Sequence, residues 1–387
     1  APTVECALAE PARLLRYWQG IVREVRQEYQ SRDVTRYRFW IAPRVMRLAD
    51  FTASRLFQNK SVPAIVEAML RHHGFTESDF GWRLTVDYPV REYTTQYRET
   101  DWAFIQRLLH DEGIWYTFEQ GEQVERLLLA DSPIHYKRNT SCERYREPAG
   151  LESDGREAVT HWQVHYRAAR ARVRLMDYNY RVADHVLDVV HAAPPGAPAM
   201  LGSDTHWGEH YTSYEQGARM AGIRYEASLA EQCQADGGSN VLCCQPGRVM
   251  SIVRVEEAQQ DWLVTRVMHM GSCRTAYRNQ FKAIPAERVY RPPLTVDWPV
   301  IAGTLPARVT SPGQYPYAYL DEWGRYRVKL PFDLDTWNPG GESRPVRLAR
   351  SYAGAQYGQH FPLHPGTEVM LAFVDGNPDR PYICLLY

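Results

Sequence analysis

The 387 residues carry 45 Lys plus Arg against 46 Asp plus Glu, a formal net charge of -1. That balance argues against a dedicated nucleic-acid or membrane-surface binder, which shows a basic excess. Hydrophobic content of 44% and charged content of 24% is ordinary for a folded protein, and the length allows two or three domains with separate cores. The 25 Tyr and 11 Trp suit β structure and broad interfaces. Seven scattered cysteines include no C-x-x-C pair, so a zinc knuckle is not expected, and the odd count suits a reducing compartment. No run is long enough to span a bilayer, and the start, APTVECALAEPARLL, lacks the basic and apolar regions of a signal peptide. Export by the general secretory route is therefore not expected.

Arg13 to Ile41 reads as strands. Tyr37, Phe39 and Ile41 share one face and Arg36, Arg38 and Trp40 the other. Arginine is dense here (Arg13, Arg16, Arg23, Arg26, Arg32, Arg36, Arg38) and a phosphate-binding face is one reading. Glu24, Glu28 and Asp33 are interleaved and favour a solvated face instead. Ser61 then caps a short helix with Pro63 in its first turn; Val62, Ile65, Val66, Met69 and Leu70 form its apolar stripe and Gly74 ends it. His72 and His73 at its end read as cations favoured by the helix dipole. A second helix follows Thr100, with Asp101 in its first turn, a buried face of Trp102, Phe104, Ile105, Leu108 and Leu109, and a stop at Gly113. His110-Asp111-Glu112 looks catalytic on paper, but consecutive helical residues fan out by about 100° each and do not converge. Ile114, Tyr116 and Phe118 resume as a strand, expected to pair with Leu127 to Ala130.

Pro133 to Gly155 is polar and reads as a linker or long loop. Strands return from Val159, with Val173 and Leu175 alternating against Arg172 and Arg174, and Ala192 to Ala199 is a loop. His206-Trp207-Gly208-Glu209-His210 has the H-x-x-E-H spacing of inverted zinc peptidases. That chemistry needs both histidines one turn apart on a helix, and Gly208 with the preceding Gly202 and Asp204 places the motif in a loop instead. The helix signal begins only at the capping box of Ser213 and Gln216, running through Met220, Ile223 and Leu229. CQPGRVMSIVRV, DWLVTRVMHMG and YRNQFKAIPAERVYRPP give three further strands, and Pro292, Pro293, Pro299 and Pro306 a stiff connection.

The last ninety residues alternate again: Tyr326, Val328 and Leu330 against Arg325, Arg327 and Lys329, then Val346 with Leu348, then Val369, Leu371 and Phe373. Turns at Asn338-Pro339-Gly340-Gly341, His364-Pro365-Gly366 and Asp375-Gly376-Asn377-Pro378 separate them, which reads as a small antiparallel barrel or sandwich. No G-x-S-x-G, P-loop or G-x-G-x-x-G occurs, and the acid pairs Glu256-Glu257 and Asp333 with Asp335 read as exposed loop residues. No catalytic, metal or cofactor-binding residue is expected.

DEWGRYRVKLPFD followed by RPVRLARSYAGAQYGQHFPLHPGTEVMLAFVDGNPDRPYI resembles the OB-fold segment of the VgrG family, the type VI secretion spike proteins related to contractile-tail phage baseplate hubs. SRLFQNKSVPAIVEAMLRHHG, YPVREYTTQYRE and TDWAFIQRLLHDEGIWYTFE are similar to the same family, in which those helices brace the first of two barrels. The resemblance implies a mainly β protein with some α. Its expected parts are a first barrel domain with a helical insertion over 1–150, a second over 151–295 and a small OB-fold barrel over 300–387. It further implies a non-enzymatic homotrimer whose six barrels cap a hexameric tube of Hcp-like protein. The OB-fold leads toward a needle tipped by a PAAR-type protein with effectors, and membranes are met only by mechanical puncture. Assembly would take place in the bacterial cytoplasm, followed by secretion through the apparatus. Two departures stand out: the family pattern has several tens of residues before a segment like Tyr17 to Glu28, and needle repeats would begin at Tyr387. The expectation is a fragment. Ala192 to Thr212 and Ala230 to Leu242 match the pattern poorly. Two other readings stay open: an OB-fold nucleic-acid binder stacking bases on Trp323, Tyr326, Trp337, Tyr352 and Tyr357, and a zinc hydrolase at the HWGEH segment.

Overall fold

Alternation of buried and exposed positions marks many strands of this chain, and the computed structural model describes residues 3–10, 13–121, 124–146, 157–197, 200–253, 259–272, 275–293, 297–313, 316–354 and 357–386. The elements begin with β1 (Thr3–Glu10), β2 (Arg13–Gln30), β3 (Thr35–Ala42), β4 (Thr52–Lys60), α1 (Val62–His72), β5 (Phe80–Arg83), β6 (Arg91–Thr100) and α2 (Asp101–Asp111). They continue with β7 (Trp115–Gln120), β8 (Glu125–Ala130), β9 (Lys137–Arg144), β10 (Val159–Tyr166), β11 (Arg172–Tyr178), β12 (Val186–Ala192), β13 (Ser203–Trp207) and α3 (Tyr214–Gln232). The remainder is β14 (Cys233–Ser239), β15 (Arg248–Val253), β16 (Gln260–Ser272), β17 (Thr275–Pro285), β18 (Leu305–Thr310), β19 (Arg327–Lys329), β20 (Arg347–Leu348), β21 (Glu368–Phe373) and β22 (Pro381–Leu386). The protein is mainly β with some α. Among the described residues no helix is long and apolar enough to cross a membrane.

Two compact units result, and they do not follow chain order. The first comprises Ala1–Arg47, Phe75–Asp87 and Leu109–Leu294. It holds a six-stranded sheet in the order β10-β14-β17-β16-β15-β9 and three-stranded sheets β1-β2-β3, β12-β11-β13 and β5-β8-β7. Hydrophobic period of two explains β11, where Val173 and Leu175 are buried under α3 beside Tyr211, Ala221 and Tyr225. The α3 start is as the sequence predicts: Ser213 Oγ accepts from Gln216 N, although the Gln216 side chain reaches back to Thr212 N at 3.0 Å rather than to Ser213 N. Residues 133–146 are not a linker. Their strand β9 pairs in parallel with β15 at the edge of the six-stranded sheet; residues 147–155 lie outside the described residues, as do Glu256 and Glu257.

Strand β14 has the sequence CQADGGS because it crosses an aromatic core. Gly237 pairs with Phe281, and a Cβ at Gly237 would lie 2.3 Å from Phe281 Cζ. Phe281 is itself buried against Trp162 and has nowhere to retreat. Gly237→Ala is therefore expected to cost about 1–3 kcal/mol by overpacking. Hydrogen exchange of the β14 and β17 amides checks this, and adding Phe281→Leu should return part of the protection.

On β2 and β3 the period of two holds, but both faces are exposed: Val25, Tyr37 and Phe39 are more than half exposed. The opposite face satisfies itself. Arg26 and Arg38 both lie over the Trp40 ring, at 5.1 and 5.7 Å, and pair with Glu24 and Glu28 at 3.2 and 2.6 Å. This is the solvated, charge-balanced face that the interleaved acids predict.

The second unit comprises Leu48–Gly74, Tyr88–Leu108 and Thr295–Tyr387. Its five-stranded sheet runs β19-β18-β21-β22-β20 and is accompanied by the β4–β6 pair. One core joins them: Tyr326, Val328, Leu330, Val369 and Leu371 are buried together with Leu56, Tyr93 and Tyr97. The turn chemistry is as read, with Gly340 and Gly366 at φ of 79° and 84°. Two details differ. Ser61 starts α1 without a side-chain cap, its backbone carbonyl accepting from Ile65 N instead. Pro306 belongs to β18 rather than to the connection, paired opposite Met370.

Candidate functional site

The HWGEH segment does not build a zinc site. His206 lies on β13, not in a loop, and is followed by a turn in which Gly208 and His210 take φ of 81° and 68°. The two histidines are thus not one helical turn apart. His206 Nε2 sits 2.8 Å from Asp204 Oδ1, and Glu209, the would-be base, forms an ion pair with Arg224 of α3. Among the described residues no group of three or more His, Cys, Asp or Glu is placed to hold a metal ion. The other triplet also disperses: His110 Nδ1 contacts Pro292 O at 2.9 Å while Glu112 pairs with Arg219 at 2.6 Å. Burial and the Arg224 charge hold the His110 imidazole below its ordinary pKa.

The five aromatics proposed as stacking platforms split by role. Tyr326 is fully buried, and its hydroxyl accepts from Leu363 N at 3.1 Å. Trp337 is half-buried and donates Nε1 to Asp333 at 2.7 Å. Trp323, Tyr352 and Tyr357 are exposed, but Trp323 Nε1 donates to Glu322, a carboxylate that would repel a phosphate backbone. No continuous track for a nucleic-acid strand emerges from these five. Asp333 is not an exposed loop residue: it is 3% exposed, accepts from Asp335 N and Trp337, and burial raises its pKa.

What the sequence did not reveal is a set of buried charges in the second unit. His73 is no solvated helix-end cation: its Nε2 lies 2.6 Å from Asp101 Oδ2. Asp101 is itself wholly buried and accepts from Gln96 Nε2 at 2.6 Å and Arg55 Nη1 at 3.2 Å. Six residues on, the fully buried Arg107 grips Glu99 with two N–H groups at 2.6 and 3.2 Å and donates to Thr95 O. Phe104 and Trp298 flank its guanidinium at 5.2 and 4.8 Å. These contacts hold α2 onto β6. A charged residue on an otherwise apolar helical stripe was the signal available, and taken alone it is ambiguous.

Among the described residues of the first unit, one buried carboxyl titrates in a useful range. Glu125 on β8 accepts from Arg44 N at 2.9 Å and Gln120 Nε2 at 3.2 Å, yet burial outweighs both bonds and pushes its pKa from 4.5 up to about 7. The folded state therefore holds this proton more tightly than the unfolded state. The stabilisation is complete below about pH 4.5 and is lost as pH rises through 7. The expected loss is on the order of 3 kcal/mol, and Glu125→Gln should flatten that part of the pH dependence. Denaturation midpoints of both proteins across pH check it; parallel profiles contradict it.

Comparison with known proteins supplies the family. Residues 3–275 match the family described as phage tail baseplate hub (GPD), and residues 319–387 match the type VI secretion system/phage-baseplate injector OB domain. The type VI secretion system spike protein VgrG5 of Pseudomonas aeruginosa is 29% identical over 392 residues, covering 95% of this chain and 49% of that protein. VgrG3 of Vibrio cholerae is 27% identical over 405 residues, covering 98% and 38% respectively. The solved structure of the E. coli c3393 protein is described as a component of the type VI secretion system similar to the T4 bacteriophage tail proteins gp27 and gp5. It is 31% identical, with a TM-score of 0.70, and the match covers 98% of this chain and 86% of that one. The chain spans about half the length of the curated relatives it matches, such as VgrG5 and VgrG4b at 49% and 48%. Hub and injector domain are structural parts, so this segment is scaffold rather than enzyme. With one hub match and one injector match in a single chain, it belongs to the phage tail baseplate hub family, among the VgrG spike proteins of type VI secretion.

Proposed function

We propose that this segment is a symmetry adaptor in a contractile injection apparatus. Three copies associate, each contributing two barrel-like domains, 1–150 and 151–295, and a small OB-fold barrel, 300–387. Six barrels then face a hexameric tube of Hcp-like protein, while the OB-folds narrow the assembly to threefold symmetry toward a needle. A PAAR-type tip and effectors would be carried beyond it. The particle would assemble in the bacterial cytoplasm and leave through the apparatus, meeting membranes only by puncture.

The observation that supports this most is the order of the two family matches, hub over 3–275 and injector OB domain over 319–387. The physical need is equally plain: a threefold object meets a sixfold tube without strain only if each chain presents two equivalent surfaces. Sedimentation equilibrium over a wide concentration range tests the association. A trimeric mass is expected, and a monomer at high concentration would contradict the reading.

A further inference from the structure

The arginine-rich β2 strand does one thing that its solvated stretch does not explain. Arg16 and Trp18, two residues apart on β2, turn inward rather than outward. Arg16 Cζ lies 5.1 Å from the Trp18 ring, which stacks on Tyr277 at 5.5 Å and meets His269 at 5.0 Å, both on the β16–β17 hairpin. Arg16 Nη2 and Trp18 Nε1 are shut off from solvent and have no acceptor among the described residues. Leaving a buried donor without a partner costs about 1–3 kcal/mol, more when it is charged. The acceptors at hand are spent on each other: His269 Nδ1 lies 2.7 Å from Tyr277 Oη, which also accepts from Asn279 Nδ2 at 3.0 Å. Burial lowers the Arg16 pKa, with Tyr277 opposing and Arg248 adding to the effect.

We propose that the Arg16–Trp18 corner binds a carboxylate. A guanidinium fork matches two coplanar oxygens, the indole N–H supplies a further donor, and the Trp18 ring gives a flat wall beside them. The carboxylate comes either from a free small acid or from an acidic side chain of a second copy of this chain. The second source rests on the trimeric reading above; the first does not.

Formate is the probe, with chloride at equal ionic strength as the reference. The wild-type chain is expected to melt a few degrees higher in formate, saturably, as linkage requires for a ligand bound only by the folded state. Arg16→Gln should abolish the rise, and Trp18→Phe, which keeps the stacked ring but removes the N–H, should weaken it. Both variants are to be checked for a cooperative transition in chloride, with Trp18→Phe carrying the test if Arg16→Gln does not fold. No formate-specific rise in the wild type at high dilution, where a second copy no longer fills the corner, or an undiminished rise in the variants, overturns the proposal. Dilution separates the sources. If wild-type melting in chloride falls on dilution and formate removes that dependence, a second copy supplies the carboxylate; a formate rise with concentration-independent melting assigns a free acid.

Discussion

Arg107→Met is expected to cost the second unit about 3–5 kcal/mol, the range found when one partner of a buried ion pair is removed. Met preserves most of the volume, so the loss reports charge rather than a cavity. Arg107 is 1% exposed, and its departure strands the Glu99 carboxylate, itself 10% exposed, together with the Thr95 carbonyl. The control follows from the same reasoning. Glu99→Gln added to Arg107→Met removes the stranded charge and should recover part of the loss, which gives the pair a coupling energy. Because the chain has two compact units, an unfolding midpoint alone does not say which unit is affected. Hydrogen exchange of amides in β6 resolves the unit in question. Unchanged protection there would mean that Arg107 is ornamental, against its geometry.

The second large effect is expected at Tyr326. Its side chain is fully buried at the centre of the core that joins Val328, Leu330 and Val369 to Tyr93 and Tyr97. Truncation to alanine should cost about 3–5 kcal/mol, as for other large buried aromatics. Phenylalanine in its place keeps the ring and loses only the acceptor for Leu363 N, so about 1–3 kcal/mol is expected. Exchange at the Leu363 amide should rise more in Tyr326→Phe than exchange in β21. Equal losses for the two substitutions would place the energy in the hydroxyl and not in the packing.

Local periodicity made the elements readable. Val62, Ile65, Val66, Met69 and Leu70 are buried as the helical stripe predicts, and Val369, Leu371 and Phe373 as the strand pattern predicts. Turn glycines were equally legible, because a left-handed backbone at Gly340 or Gly366 is a local demand. Long-range partnership was not. Nothing in Leu56 or Tyr93 says that they share a core with Val328 or Leu371, more than two hundred residues on, so the second unit's interleaved composition could not be read. Polarity misled for residues 137–144, whose backbone pairs with β15 at a sheet edge. It misled again at His73 and Asp333, whose partners Asp101 and Trp337 bury them. The glycine inside HWGEH argued against a helix there, but the sequence placed the segment in a loop, whereas His206 lies on strand β13 and only the residues after Trp207 turn.

Particle reconstruction of this chain mixed with a hexameric Hcp-like tube tests the adaptor reading most directly. It should show threefold particles with six barrel-like lobes seated on an open tube end. Single-copy particles that leave the tube ends bare would contradict it.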